Sequence, residues 1–254
     1  MKPQLVSATT LYPTAKIATH VSVLDRLLDG GLLPGLLTVI HSNHGARSLK
    51  NLIIRLLKQG REGAVIIDAT NQFPAIQLAR WARQQRKKPQ AVLSKFKILR
   101  PFNYHQCTEA ALKYLEKEVQ NHPSQLLLIL GCPDIYLSDE AAKNLSYDQR
   151  TPTFALLELH QALRTIQSVT MKYGLGTILT TGRAPGSLDK PLGGPFLRAS
   201  AGIIIRVEQV GIDVEYTLDK HPFLASRKIA QKKQARGFGS ANLTKWILAG
   251  RSTD

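Results

Sequence analysis

Short apolar runs recur along the chain at residues 37–40, 64–68, 96–99, 125–130 and 177–181, each separated from the next by a stretch with helical spacing. A strand covered on both faces reads as a continuous apolar run, whereas a strand with one wet face alternates. The runs therefore predict a parallel sheet buried between helices. Leu49, Leu52, Ile53, Leu56 and Leu57 fall at i, i+3, i+4, i+7 and i+8, which predicts a helix stopping at Gly60. Pro74 opens another through Ile76, Leu78, Ala79 and Trp81; a third covers roughly 108–119. Phe154, Leu157, Leu163, Ile166 and Val169 mark a long fourth, closed by Gly174 and Gly176, and a short helix over 21–28 ends at Gly30-Gly31. The rhythm changes after a Gly/Pro-rich loop at 182–195. Residues 203–208 and 213–218 flank Gly211 and read as a β-hairpin. The expected fold is α/β, with a mainly parallel sheet flanked by helices and a C-terminal antiparallel hairpin.

Residues 30–49 join a Gly/Pro turn, an apolar strand, a polar loop and the start of a helix. That order is the scaffold of a phosphate-binding P-loop, where loop N–H groups and a helix start hold an anion. The pattern G-x-x-x-x-G-K-[ST] would need Gly at 41 and 46 and Lys at 47. The chain has His41, Ala46 and Arg47, and keeps only Ser48. Gly45, Ala46, Arg47 and Ser48 are the candidate nucleotide contacts of this degenerate loop. His41 and His44 read as groups that hydrogen-bond the loop backbone in place of phosphate.

Lys and Arg number 34 against 18 Asp and Glu, a formal charge of +16. An excess this large points to a polyanionic partner, nucleic acid first and an anionic membrane surface second. No apolar run approaches a membrane span, 126–130 being the best candidate. The opening Met1-Lys2-Pro3-Gln4 carries no signal-peptide pattern, and Cys107 and Cys132 make neither metal spacing nor a disulfide framework, so an intracellular, reducing compartment is expected. The seven His show no metal-binding spacing, and no nucleophile motif appears. Cations gather in two places. Arg83, Arg86, Lys87 and Lys88 close one helix; Lys220, Arg227, Lys228, Lys232, Lys233, Arg236 and Lys245 fill a tail that also holds Ile229, Phe238, Leu243, Trp246 and Ile247. The tail reads as an amphipathic segment docking on DNA or a partner.

Five stretches together resemble the RecA-like recombinases, most closely the archaeal and eukaryotic RadA-type branch and its paralogues. Residues 19–31, THVSVLDRLLDGG, are similar to the family lead-in T-G-x-x-x-L-D-x-L-L-x-G-G. Residues 66–73, IIDATNQF, resemble its I-D-T-E-G-x-F segment. Asn103-Tyr104-His105-Gln106 resembles a short signature after the third strand, Gly193-Gly194 a Gly pair beyond the second DNA-binding loop, and Asp219-Lys220-His221-Pro222 the close of the family hairpin. The resemblance spans about 15–225 and implies three regions: an arm over 1–18, a RecA-like P-loop core over 19–225 and a basic tail over 226–254.

The resemblance also says what is missing. The family's phosphate-gripping Lys falls at Arg47, its water-activating Glu at Thr70, its Walker B Asp at Gly131, and the Gln linking γ-phosphate to DNA at Gly182. Phosphoryl transfer is mostly positioning and charge stabilisation, so these four departures argue against hydrolysis. ATP with Mg²⁺ is the one cofactor the scaffold could still take, and the departures weigh against it. The family grips DNA with the loop after the fifth strand, which here offers Arg183 and Lys190. Gly193, Gly194, Arg227, Lys228, Lys232, Lys233 and Arg236 complete the candidate DNA contacts. Leu5 and Ala8 resemble the F-x-x-A segment that docks on a neighbouring protomer's sheet edge, with Leu5 in place of Phe. The implied role is a non-hydrolysing recombinase paralogue in homologous recombination and repair. Its expected partners are single- or double-stranded DNA and RecA-like recombinase or paralogue subunits, in the nucleus of a eukaryote or the cytoplasm and nucleoid otherwise. The alternatives are an active DNA-dependent ATPase using Arg47 with Asp68 or Asp134, and an inert structural subunit of a hetero-oligomer.

Overall fold

Strands and helices alternate as the apolar runs require. The computed structural model describes residues 15–60, 63–137 and 154–232. The strands are β1 (Leu37–Ser42), β2 (Ala64–Asp68), β3 (Phe96–Leu99), β4 (Leu126–Leu130), β5 (Gly176–Gly182), β6 (Ile203–Val210), β7 (Asp213–Lys220) and β8 (Arg227–Gln231). They form one sheet in the order β3-β2-β4-β5-β1-β6-β7-β8. Neighbours from β3 to β6 pair in parallel, while β6, β7 and β8 pair antiparallel. The α/β class, with its antiparallel C-terminal strands, is thus the observed fold.

Each central strand sends alternate side chains to two separate apolar layers. Ile66, Leu128, Ile178 and Ile205 face one layer with Leu24, Leu52, Leu56 and Leu78. Val65, Ile67, Leu127, Ile129 and Leu179 face the other with Leu115, Leu159, Leu163 and Ile166. The first layer is built by α1 (Ser22–Leu27), α2 (Lys50–Gln59), α3 (Ala75–Gln84) and α4 (Pro89–Leu93). The second is built by α5 (Tyr104–Glu109), α6 (Leu115–Gln120), α7 (Cys132–Tyr136), α8 (Phe154–Lys172) and α9 (Gly194–Ser200). This two-sided burial is why the strand runs are unbroken.

The lead-in motif has a physical role at each of its ends. The Asp25 carboxylate accepts from Thr19 N–H at 2.9 Å and Thr19 Oγ1 at 2.7 Å, closing the turn into α1. His20, in the pattern's second position, sits at φ +56°, a left-handed conformation uncommon for a non-Gly residue. Gly31 has φ +142°, and a Cβ there would collide with the Ile17 carbonyl oxygen, so only glycine lets Ile17 pair with Leu32.

Several details differ from the sequence expectation. The third helix begins earlier: Asn103 caps α5 by accepting from Gln106 N–H at 2.9 Å, and a π-turn over Ala110–Tyr114 joins α5 to α6. In α8 the buried face is carried by Leu159, Ala162, Leu163, Ile166 and Val169, while Phe154 and Leu157 are exposed. Ile76 is likewise exposed, and α3 packs through Leu78 and Ala82. The sheet also continues past residue 225, because β8 pairs with β7 inside the stretch assigned to the basic tail.

Candidate functional site

The loop after β1 lies at the C-terminal strand ends, where open α/β sheets place ligands. It is folded on itself. Gly45 N–H donates to Ser42 O at 3.2 Å, and Ser48 N–H donates to Gly45 O at 3.1 Å. The Ser48 hydroxyl lies 2.7 Å from Gly45 O and 2.9 Å from Ser42 Oγ. Ala46–Leu49 form a 3₁₀ turn leading into α2. Ala46 is buried, whereas Arg47 is exposed and has no hydrogen-bond or ion-pair partner among the described residues.

Two of the positions matched to the family pattern, 131 and 182, lie beside this loop. Gly131 ends β4 at φ +65°, and a Cβ there would stand 2.5 Å from Thr70 Cγ2 and 3.4 Å from Ala46 Cβ. Thr70 therefore occupies the space an acid at 131 would need. A Cβ at Gly182 would lie 3.2 Å from Asp134 Oδ1 and 3.4 Å from Gly45 Cα. Asp134, on α7, reaches between the two strands. Its carboxylate accepts from Gly182 N–H at 3.1 and 3.2 Å and from Ala46 N–H at 3.4 Å. A carboxylate of the chain itself thus meets a loop N–H of the kind that contacts phosphate in a working P-loop. The space between Ala46, Lys50, Thr70, Gln72 and Thr180 is about 10 Å³, room for about one water molecule.

The other acid near the loop is committed too. Asp68 is fully buried and accepts from Thr70 Oγ1 at 2.6 Å, Thr70 N–H at 3.2 Å, Gln72 N–H at 3.3 Å and Phe73 N–H at 2.8 Å. It closes the turn after β2. The two loop histidines do not bond the loop backbone, contrary to the sequence reading. β1 runs on through Ser42, so His41 is a strand residue, fully buried, with Nε2 3.8 Å from Asp219 Oδ2 and no hydrogen-bond partner on either nitrogen. His44 is exposed.

The candidate DNA contacts are scattered rather than gathered. The loop after β5 is closed like a hairpin, with Ala184 N–H donating to Lys190 O at 2.8 Å and Leu192 N–H to Gly182 O at 2.8 Å. Arg183 sits 3.8 Å from Glu208, part of a cluster in which Arg206 bridges Glu208 at 2.8 Å and Asp219 at 3.2 Å. Lys190 is exposed at the rim of this loop. Gly193 caps α9 and Gly194 opens it, just after this loop. Arg227 donates from Nε to the Leu27 carbonyl at 2.9 Å and ties β8 to the end of α1. Lys228 pairs with Glu215 at 2.9 Å, and Lys220 donates to the Arg198 and Ala201 carbonyls. Lys232 is exposed. Leu5, Ala8, Lys233 and Arg236 lie outside the described residues.

A second polar network pins the helices behind β4. Thr108 Oγ1 lies 2.6 Å from Tyr136 OH and 2.8 Å from Glu158 Oε2, and Glu158 Oε1 meets His105 Nδ1 at 2.7 Å. Burial pushes the Tyr136 phenol far up, so it stays a neutral partner. Sequence reasoning named Asp134 only as a spare acid. Nothing local signals its part in the loop, since 88 residues separate it from Ala46.

Comparison with known proteins bears on the fold. No protein-family description and no curated protein matches this chain. Among solved structures, the crystal structure of the RadB recombinase aligns with a TM-score of 0.67 at 18% identity, covering 84% of this chain and 94% of that one. The fold is RecA-like.

Proposed function

We propose that this chain is a non-hydrolysing RecA-like recombinase paralogue that binds DNA, a recombinase filament on DNA, or both, and assists homologous recombination and repair. One observation carries the reading. Gly131 packs against Thr70 and Ala46, and Asp134 joins Ala46 to Gly182, where a hydrolysing site would hold lysine, metal and attacking water. The residues at the loop do not fit ATP with Mg²⁺: the loop hydroxyl of Ser48 is turned onto its own turn, and a resident carboxylate faces the loop. Like charge at that point repels a phosphate rather than receiving it.

The RecA-like fold and the +16 charge support DNA and recombinase subunits as partners, and no described helix is long and apolar enough to cross a membrane. The outer edge of β3 has no strand partner among the described residues, which leaves a place for strand addition by an arm such as the one holding Leu5 and Ala8. The deciding measurement is affinity for single- and double-stranded DNA across a salt series, alone and with a RecA-like recombinase, beside an ATPase assay. Salt-dependent binding without turnover is expected. Lack of binding in every arm, or turnover that vanishes in Arg47→Ala, refutes the reading.

A further inference from the structure

The strand ends opposite the loop carry a cleft that no feature of the recombinase resemblance predicts. It lies at the start of β3, between α2, α3 and α4, and offers an open space of about 420 Å³. Its apolar walls include Trp81 and Phe96, and its rim carries Lys58, Lys87, Lys88 and Lys95. No acidic side chain lines it among the described residues. Lys87 Nζ lies 5.6 Å from the centre of the Trp81 ring, so the half-buried indole has one face turned to the cations. Arg83 and Arg86 stand exposed at the same end of α3. A second depression of about 270 Å³, lined by Lys16, Ile17 and His20 among others, shares Gly60 with the first, so the two lie side by side beneath the sheet.

We propose that this cleft is a binding site for single-stranded nucleic acid, with a base against Trp81 and the flanking phosphates on Lys87, Lys88 and Lys58. The chemistry favours this occupant. Lys58, Lys87 and Lys88 around one aromatic platform match the alternation of phosphate and base along a strand, and base–aromatic stacking tolerates any sequence. An incoming base takes the place of the Lys87 ammonium over the indole, and that ammonium moves to the adjacent phosphate. A cavity of about 420 Å³ also exceeds what a lone inorganic anion needs. The inference rests on the DNA-binding reading above and gives that reading a location, at the far end of the sheet from the closed loop.

The test uses the full chain with Trp246→Phe, which leaves Trp81 as the only tryptophan. Titration with a twenty-nucleotide oligothymidylate is expected to quench Trp81 emission. Lys87→Glu with Lys88→Glu, both exposed and so compatible with folding, should lower the magnitude of the log–log salt slope by about 1.4, two single-strand phosphate contacts at about 0.7 each. Trp81→Ala should weaken oligothymidylate about 5- to 140-fold while leaving an abasic phosphodiester strand nearly unaffected. DNA binding that leaves Trp81 emission and the lysine variant's slope unchanged overturns this site but not the wider function. Quenching by an acidic peptide at lower concentration than the oligonucleotide overturns it in favour of a protein partner. If no DNA binds either to the chain alone or in the presence of a RecA-like recombinase, the wider function falls with it.

Discussion

Replacing Asp134 with alanine removes the carboxylate that joins β5 to the loop after β1. The Gly182 N–H bond, at 3.1 Å to one oxygen and 3.2 Å to the other, is the strong contact, and the Ala46 contact at 3.4 Å is near the limit. A hydrogen bond to a charged acceptor contributes about 1.5–3 kcal/mol, and Asp134 is only partly buried, so the loss should be about 2 kcal/mol. For a domain of this size that lowers Tm by about 4–8 °C. Asp134→Asn keeps an acceptor oxygen and should lose about half as much. The informative part is the response to anions. With the carboxylate gone, the Ala46 and Gly182 N–H groups are free to receive another acceptor, and pyrophosphate at about ten times its Kd should restore about 1.4 kcal/mol. The assay is thermal unfolding with pyrophosphate or with chloride at matched ionic strength, because a +16 chain gains from any added salt. The variant should gain more from pyrophosphate than the wild type does. Equal gains in both, or an unchanged Tm in Asp134→Ala, would refute the idea that Asp134 takes the place of a phosphate.

Gly131→Asp, which places an acid where the resembled recombinases have one, should cost about 2–4 kcal/mol from the left-handed backbone and the Thr70 collision. Adding Thr70→Ala should recover part of that cost, and strict additivity in a double-mutant cycle would sink the packing argument. For Asp219, burial pushes the carboxyl up, but His41 and Arg206 beside it outweigh burial and hold it below its ordinary 3.8. A carboxyl depressed in the folded state adds stability above its unfolded pKa and loses it as pH falls through the folded value. Asp219→Asn should therefore lower Tm by an amount worth up to about 1 kcal/mol at neutral pH, with the gap closing below about pH 4; a gap unchanged at pH 3 contradicts this. Cys107 and Cys132 face each other at 3.5 Å between sulfurs, and the hydrogen bond with Cys107, followed by burial, pushes the Cys132 thiol well up. Neither should be alkylated in the native state at pH 8, while mass spectrometry should find both modified in denaturant.

The apolar runs make the parallel strands legible because two-sided burial leaves no polar residue in them. The Leu49-to-Leu57 spacing marks α2 for the same reason, since one helix face meets the sheet. β8 is harder to see. Arg227, Lys228 and Gln231 dominate it, and only Ile229 reports an inward face, the ordinary composition of an edge strand. The positions that depart from the resembled pattern are visible one by one, but their spatial neighbours are not. Thr70, Gly131 and Gly182 follow or end three different strands, and only the sheet order brings them beside Ala46. His41 escapes a sequence reading because strand ends are set by pairing with both neighbours, and β5 and β6 carry β1 two residues beyond its apolar run. Trp81 and the cations after it are legible as a group, but the cavity between α2 and α4 is not.

The contact between Thr70 and the glycine at 131 has a bearing on how such a sequence can drift. Selection acts on one substitution at a time, and an acid introduced at 131 meets a methyl group 2.5 Å away before any benefit could arise. A larger residue at 70 would first give up the hydroxyl that lies 2.6 Å from Asp68. An arrangement with acids at both positions and the present one are thus separated by single substitutions that each cost a contact. Sequences of this kind should wander freely at the exposed Arg47 while the pair 70 and 131 changes only together, a ratchet set by van der Waals radii rather than by usefulness.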